Sequence, residues 1–355
     1  MKKRKLKIAQ LVLPWIPLPP PGYAGTEWIV YWLTEELVRR GHQVTLFSVG
    51  ESKTKARLSY LFKKAFGLQP DVMKTLKSSF YPWMHVASCF ERQDEFDIIH
   101  SHAQFLALPF AAASKTPSLH TFHRIFKFES KDDQDLLKHY GWLNFTSISN
   151  SQRIPGINFI ATVYNGIPVQ KFKFSPKGKG YLLWIGRIID KKGPKETIMV
   201  AKKLKMKLIM IGKITQPEYF KKEIKPEIDG KLIKYLGELP QKRLVKYYAD
   251  AYCTLFPIKW NEPFGLVPIE SMACGTPVVA FRNGAARETI LDKKTGFLIK
   301  EKEGINGLVE AVKNIDSIKR ENCRKWVEKK FSVKKMVDDY EKVYYKILNK
   351  KYGKI

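Results

Sequence analysis

Two glutamates bracket a helix start in WNEPFGLVPIESMACGTP, residues 260–277. Pro263 and Gly265 stop any earlier helix, and Leu266 to Cys274 is a run of good helix formers. Pro268 falls in the first turn, where its missing N–H costs nothing. Gly275 supplies a left-handed stop, and Pro277 forbids continuation. The turn therefore has free N–H groups at Gly265, Leu266 and Val267, a natural seat for phosphate. Glu262 and Glu270 repel phosphate but accept hydrogen bonds from hydroxyls. An anion seat between two hydroxyl acceptors suits a molecule with phosphates in its middle and a sugar at each end, a nucleotide sugar. The same residues also fit a buried βα unit with a solvated glutamate or two.

The elements around this stretch bear on that choice. With 355 residues the chain exceeds one ordinary core, so two domains are expected. No run of 18 or more apolar residues exists to span a membrane. The basic, apolar start MKKRKLKIAQLVLPWIPLPPP imitates a signal peptide. Gln10 interrupts its core and prolines crowd its end, so Leu6 to Leu13 reads better as a first buried strand, in a cytosolic protein. Cys89, Cys253, Cys274 and Cys323 lie too far apart for a zinc motif and give no sign of disulfides. A net charge of +29 attracts polyanions, although lysine-rich composition explains it as well. Without Arg clusters or a stacking aromatic array, nucleic acid is not an expected partner.

The spacing of Glu262 and Glu270, with Pro-Phe-Gly after the first and a Gly-Thr-Pro stop, resembles the donor-site motif of family 4 glycosyltransferases, retaining enzymes of the GT-B fold. The resemblance implies an α/β architecture of two Rossmann-like domains facing across a cleft. It implies transfer of a hexosyl group from a nucleoside-diphosphate sugar to a hydroxyl of a glycan, a lipid-linked acceptor or a small molecule. It places Glu262, Phe264, Gly265, Leu266, Val267 and Glu270 at the donor, with Glu270 on the ribose and Glu262 on the sugar. No covalent nucleophile, metal or other cofactor is implied. Attack comes from the leaving-group side, and a donor phosphate oxygen helps to take the proton.

The amino half opens as βαβ. A Pro-rich loop ends in Gly22-Tyr-Ala-Gly25, a helix runs from about Glu27 to Arg39, and a strand covers Gln43 to Ser48. The dinucleotide fingerprint is absent. The family carries a Gly-Gly pair in this loop; Ala24 replaces the first glycine, and Gly25 matches the one that approaches the donor. Residues 53–66, KTKARLSYLFKKAF, place Leu58, Leu61, Phe62, Ala65 and Phe66 at helical spacing, a basic amphipathic helix for packing or for an anionic membrane surface. Asp97-Ile-Ile-His100-Ser-His102 matches the family pattern D-x-x-H-x-H. That match puts His102 beside the donor sugar and leaves His100 as a packed strand residue. His123, in SLHTFHR, is a candidate acceptor contact; with His120 it makes a poor zinc pair. Asp132-Asp-Gln-Asp135 resembles the metal motif of a different glycosyltransferase fold, but here it reads as a solvated helix start. Acceptor choice is expected in loops 50–80 and 120–140.

A second βαβ pattern begins at Tyr181. Gly186-Arg187 ends its strand and Lys191-Lys192-Gly193 opens a helix, so Arg187 and Lys192 converge at the sheet's mouth. The resemblance assigns both to the donor diphosphate, whose growing negative charge fixed cations stabilise. Gly237-Glu-Leu-Pro-Gln resembles a turn beside the nucleotide base. In the loop Arg282 to Glu288 only Gly284 remains of two family glycines. The expected boundaries are an acceptor-side domain over 1–168, a linker over 169–180, a donor domain over 181–332 and, over 333–355, a helix crossing back. Two rival readings stay open: a nucleotide-sugar epimerase of the same architecture, and a non-catalytic sugar or polyanion binder.

Overall fold

The computed structural model describes residues 4–22, 24–68, 77–124 and 131–352. Parts of the two loops expected to choose the acceptor, 69–76 and 125–130, lie outside the described residues, as does Tyr23 of the glycine turn. The chain divides into two compact units, Met1–Gly166 with Val333–Ile355, and Ile167–Ser332.

Unit 1 is built on seven parallel strands: β1 (Lys7–Leu11), β2 (Gln43–Ser48), β3 (Arg57–Tyr60), β4 (Ile98–Ser101), β5 (Ser118–Thr121), β6 (Asn144–Ser147) and β7 (Phe159–Thr162). Their order is β3-β2-β1-β4-β5-β6-β7, reversing direction between β1 and β4. Buried runs such as KIAQL and QVTLFS suit a sheet covered on both faces. The crossover from β1 to β2 is the helix Gly25–Arg39, which turns Ile29, Val30, Leu33 and Leu37 inward at three- and four-residue spacing. The helix Val333–Tyr352 completes this unit. Arg40 holds it through Asp338 at 2.7 Å and Glu341 at 2.6 Å, and Tyr340 and Tyr344 are fully buried.

The helix expected over 53–66 does not form. Arg57–Tyr60 is the edge strand β3, with Leu58 opposite Leu46 of β2. The open edge of β2 offers a row of unpaired backbone groups, and pairing satisfies them. A lone helix of that length is marginal in water. Leu58 packs against the cluster of Val12, Leu18, Val30 and Leu46. Beyond β3, the Gly50 and Glu51 amides donate to the carbonyls of Phe62 and Lys63 at 2.9 and 3.1 Å. The anionic-membrane reading drawn from that helix loses its footing. No described helix is long and apolar enough to cross a membrane.

Unit 2 repeats the plan with β8 (Leu182–Ile185), β9 (Leu208–Ile211), β10 (Ile233–Tyr235), β11 (Cys253–Phe256), β12 (Val278–Phe281) and β13 (Gly296–Ile299). The order is β10-β9-β8-β11-β12-β13, reversing between β8 and β11. Residues 169–180, read as a linker, lie within this unit: the Ser175 amide donates to Cys274 O at 3.0 Å and the Lys179 amide to Asp250 O at 2.6 Å. All four cysteines are buried and free. The Asp132–Asp135 stretch lies in the helix Lys131–His139, with Asp132 and Asp135 exposed.

Candidate active site

In an open parallel sheet, the strand order reverses at a crevice outside the carboxyl ends, and ligands bind there. In unit 2 that crevice lies between β8 and β11. The connection after β8 carries Arg187 and Lys192, and the connection after β11 carries Trp260, Glu262 and Gly265. Gly193 lets the two connections touch. It has φ +70°, and a Cβ there would lie 2.3 Å from Pro257 O.

Lys192 Nζ donates to Glu262 Oε2 at 2.6 Å. The side chains retain only 15% and 16% of their exposure, so each charge depends on the other. The indole N–H of Trp260 donates to the same Oε2 at 2.5 Å, and Lys192 Nζ lies 5.1 Å from the indole centroid. Trp260 thus holds both members of the pair, by a hydrogen bond and by a cation–π contact. Sequence reasoning missed it, because an aromatic two residues before a motif glutamate belongs to no pattern. Arg187 is exposed and, among the described residues, joins no ion pair.

The Glu262 segment is braced by the loop that follows β12. Ala285 N–H donates to Glu262 O at 2.9 Å, and Gly284 N–H to Asn261 Oδ1 at 3.2 Å. Gly284 has φ +50°, and a Cβ there would fall 2.4 Å from Glu262 O and 2.5 Å from its N. Gly284→Ala is expected to displace Glu262 and lower kcat/KM for the donor about 10²-fold, the scale of an ångström's misplacement. Steady-state kinetics beside a circular dichroism check of folding measure this. Unchanged kinetics in a folded variant would show the brace to be dispensable.

The helix Leu266–Ala273 begins at Gly265, which has φ 82°, and no side chain caps it. Pro268 has no N–H, so the amides of Gly265, Leu266 and Val267 are those the helix leaves unpaired. The side chains of Phe264, Leu266 and Val267 are buried, Phe264 edge-on to Phe331 at 5.8 Å. Glu270 is fully buried. Its Oε1 takes a hydrogen bond from Gln241 Nε2 at 3.0 Å and its Oε2 one from the Tyr248 hydroxyl at 2.8 Å. Burial pushes its carboxyl above the usual range, and these two donors pull it part of the way back. Gln241 opens the helix after the Gly237 turn and was not anticipated.

Unit 1 gathers its histidines at its own reversal point. Gln10 on β1 stands opposite His100 on β4. His102 follows β4, and its backbone N–H donates to Leu11 O at 2.8 Å. His102 Nε2 lies 3.1 Å from Gln10 Oε1, and its Nδ1 lies 3.0 Å from His123 Nε2. The two residues singled out separately in the sequence are thus one pair. His100 is sealed in, with Nδ1 2.7 Å from the Tyr344 hydroxyl and Nε2 2.8 Å from Thr121 Oγ1. Burial pulls His123 down to about 4 and His120 to about 3; it also holds His100 and His102 well below the usual range, with the neighbouring histidines adding to it. Gly25 is the first residue of its helix, behind an Ala24 cap with no side-chain hydrogen bond. Gln10 was noticed in the sequence only as an interruption.

Comparison with known proteins covers both units. The model for glycosyltransferase family 4 matches residues 23–171, and that for glycosyl transferases group 1 matches residues 168–332. Among curated relatives, glycogen synthase of Mycobacterium tuberculosis is 26% identical over 170 residues, 45% of this chain and 41% of the relative. The capsular polysaccharide biosynthesis glycosyltransferase CapM of Staphylococcus aureus is 30% identical over 189 residues, 48% of this chain and 47% of the relative. The matched segments therefore span less than half of these relatives' lengths. Among solved structures, Anabaena HepE, in complex with UDP and glucose, superposes with a TM-score of 0.74 at 17% identity over 95% of this chain and 99% of that one. Two family models that together reach from residue 23 to residue 332, over two parallel sheets each reversing at its centre, place the chain in glycosyltransferase family 4, with the GT-B fold.

Proposed function

We propose that this glycosyltransferase is a retaining hexosyltransferase that uses a nucleoside-diphosphate sugar as donor and a hydroxyl as acceptor. The observation that carries the reading is the Lys192–Glu262–Trp260 cluster at the reversal point of unit 2, three residues before an uncapped helix start. Diphosphate on the free amides of Gly265, Leu266 and Val267 takes Lys192 from Glu262, with Arg187 as the second cation. Glu262, still held by Trp260, is then free to accept from the sugar hydroxyls. Ribose hydroxyls reach Glu270 by replacing Gln241. As the bond from the anomeric carbon to the phosphate oxygen breaks, the diphosphate takes the electron pair and the two cations stabilise it. The acceptor oxygen bonds to the same carbon from the leaving-group side, and its proton passes to a phosphate oxygen. Gly25, His102 and His123 keep in this reading the roles expected of them from the sequence, toward diphosphate, sugar and acceptor.

The test is a thermal-shift screen of UDP, GDP and ADP and their sugars. UDP-glucose leads because HepE has been crystallised with it. A ligand at 100 times its Kd is expected to add about 2.7 kcal/mol. NMR of the product then reads the anomeric configuration, expected to be that of the donor. No stabilisation by any nucleotide, or an inverted product, would overturn the reading. Donor turnover without an acceptor would indicate the epimerase.

A further inference from the structure

The polar chain buried in unit 1 has a direction. Tyr344 has one phenolic proton. Its oxygen lies 2.7 Å from His100 Nδ1 and 3.2 Å from Gln10 Nε2, its two hydrogen-bond partners among the described residues. A phenol donates far better than it accepts, and the unprotonated nitrogen of a neutral imidazole is the strongest acceptor beside it. The proton therefore goes to His100 Nδ1. His100 must then carry its own proton on Nε2, which donates to Thr121 Oγ1 at 2.8 Å.

With its proton spent, the Tyr344 oxygen can only accept from Gln10. The Gln10 amide NH2 faces it, so the amide oxygen faces His102 Nε2 at 3.1 Å. His102 Nε2 must then bear hydrogen. Burial keeps both imidazoles neutral, so His102 Nδ1 is bare. The 3.0 Å contact between His102 Nδ1 and His123 Nε2 needs a proton, and only His123 can supply it. His123 Nδ1 is then bare, and it bonds to nothing among the described residues.

We infer that Tyr344 and Gln10 are positioning residues, fixing the tautomer of the His102–His123 pair so that His123 presents an unprotonated Nδ1 to a hydroxyl of the acceptor substrate. The acceptor contact rests on the function proposed above; the tautomer does not. His123 binds and orients that hydroxyl without keeping its proton, which leaves with the phosphate.

Tautomers are read from long-range 1H–15N correlations in the full chain labelled with 15N-histidine. His100, His102 and His123 are each expected to carry hydrogen on Nε2. Hydrogen on Nδ1 of His123 in the wild-type protein would overturn the inference. In Tyr344→Phe the direction is no longer imposed. His123 is expected to show both tautomers, and the acceptor KM to rise about two- to tenfold, the scale of one neutral hydrogen bond, with the donor KM unchanged. If Tyr344→Phe fails to fold, the wild-type spectrum decides alone. Sugar transfer with Nδ1–H at His123 would sink the relay and spare the function. Nε2–H at His123 without any transfer would support the relay and sink the function.

Discussion

Replacing Arg187 with alanine is expected to lower kcat about 10²–10³-fold, the usual cost of removing one fixed stabiliser of developing charge. The donor KM should change far less, because the charge being stabilised grows only as the glycosidic bond breaks. The fold should not register the change. Arg187 is exposed and joins no ion pair among the described residues, and its neighbour Ile188 is held by a backbone bond to Lys213 O at 2.8 Å. An unshifted melting temperature with a collapsed kcat is the expected pattern. Arg187→Lys keeps the charge but loses the bidentate fork, so it should recover only part of the rate. Lys192→Ala would be a poorer probe, since it also leaves Glu262 nearly buried beside a single donor, Trp260. Transfer that survives Arg187→Ala undiminished would remove this residue from the chemistry.

Acidification is expected to open unit 1 before unit 2. All seven histidines lie in unit 1. Burial holds His85 and His123 at about 4 and His120 at about 3, against an ordinary value of 6.5. A histidine whose folded value is depressed contributes stability that is complete above pH 6.5. That contribution drains away as the pH falls toward the folded value. His85 alone, with no exposure and Nε2 3.0 Å from Val12 O, is worth about 3 kcal/mol at neutral pH. Unit 2 has no such group, and Glu270 runs the other way. Its raised carboxyl favours the fold below the usual carboxylate range and loses that effect as the pH rises. Hydrogen-exchange mass spectrometry between pH 7 and pH 4, corrected for intrinsic rates, should show unit 1 peptides losing protection from about pH 6 downward. Unit 2 peptides opening at the higher pH would contradict the assignment.

How much of this was legible beforehand follows from where each signal lies. The turn at Gly265 was readable because Pro263, Gly265, Pro268, Gly275 and Pro277 are local backbone instructions, and the helix Leu266–Ala273 sits where they put it. The strands around Val44, Leu182, Leu208 and Val278 were readable as short, nearly continuous apolar runs. Strand β3 was not, since Leu58 and Leu61 fit a helix as well as an edge, and only the open side of β2 decides. The roles of Trp260, Gln241 and Gln10 escaped notice for a related reason. Each matters through contacts with side chains that the chain brings together only on folding: Lys192 for Trp260, Glu270 for Gln241, and His102 and Tyr344 for Gln10. The role of Gly284 became visible only once the loop after β12 was seen to lie against Glu262.

The return of Val333–Tyr352 to unit 1 has a consequence for biosynthesis. While the chain is still emerging from the ribosome, Gln10, His100 and Thr121 have no Tyr340 or Tyr344 to close over them. Unit 2, continuous from Ile167 to Ser332, has all its own sequence before that helix is made. The half translated first is therefore the half finished last, and a nascent chain ending before Val333 leaves the buried polar groups of unit 1 open to water.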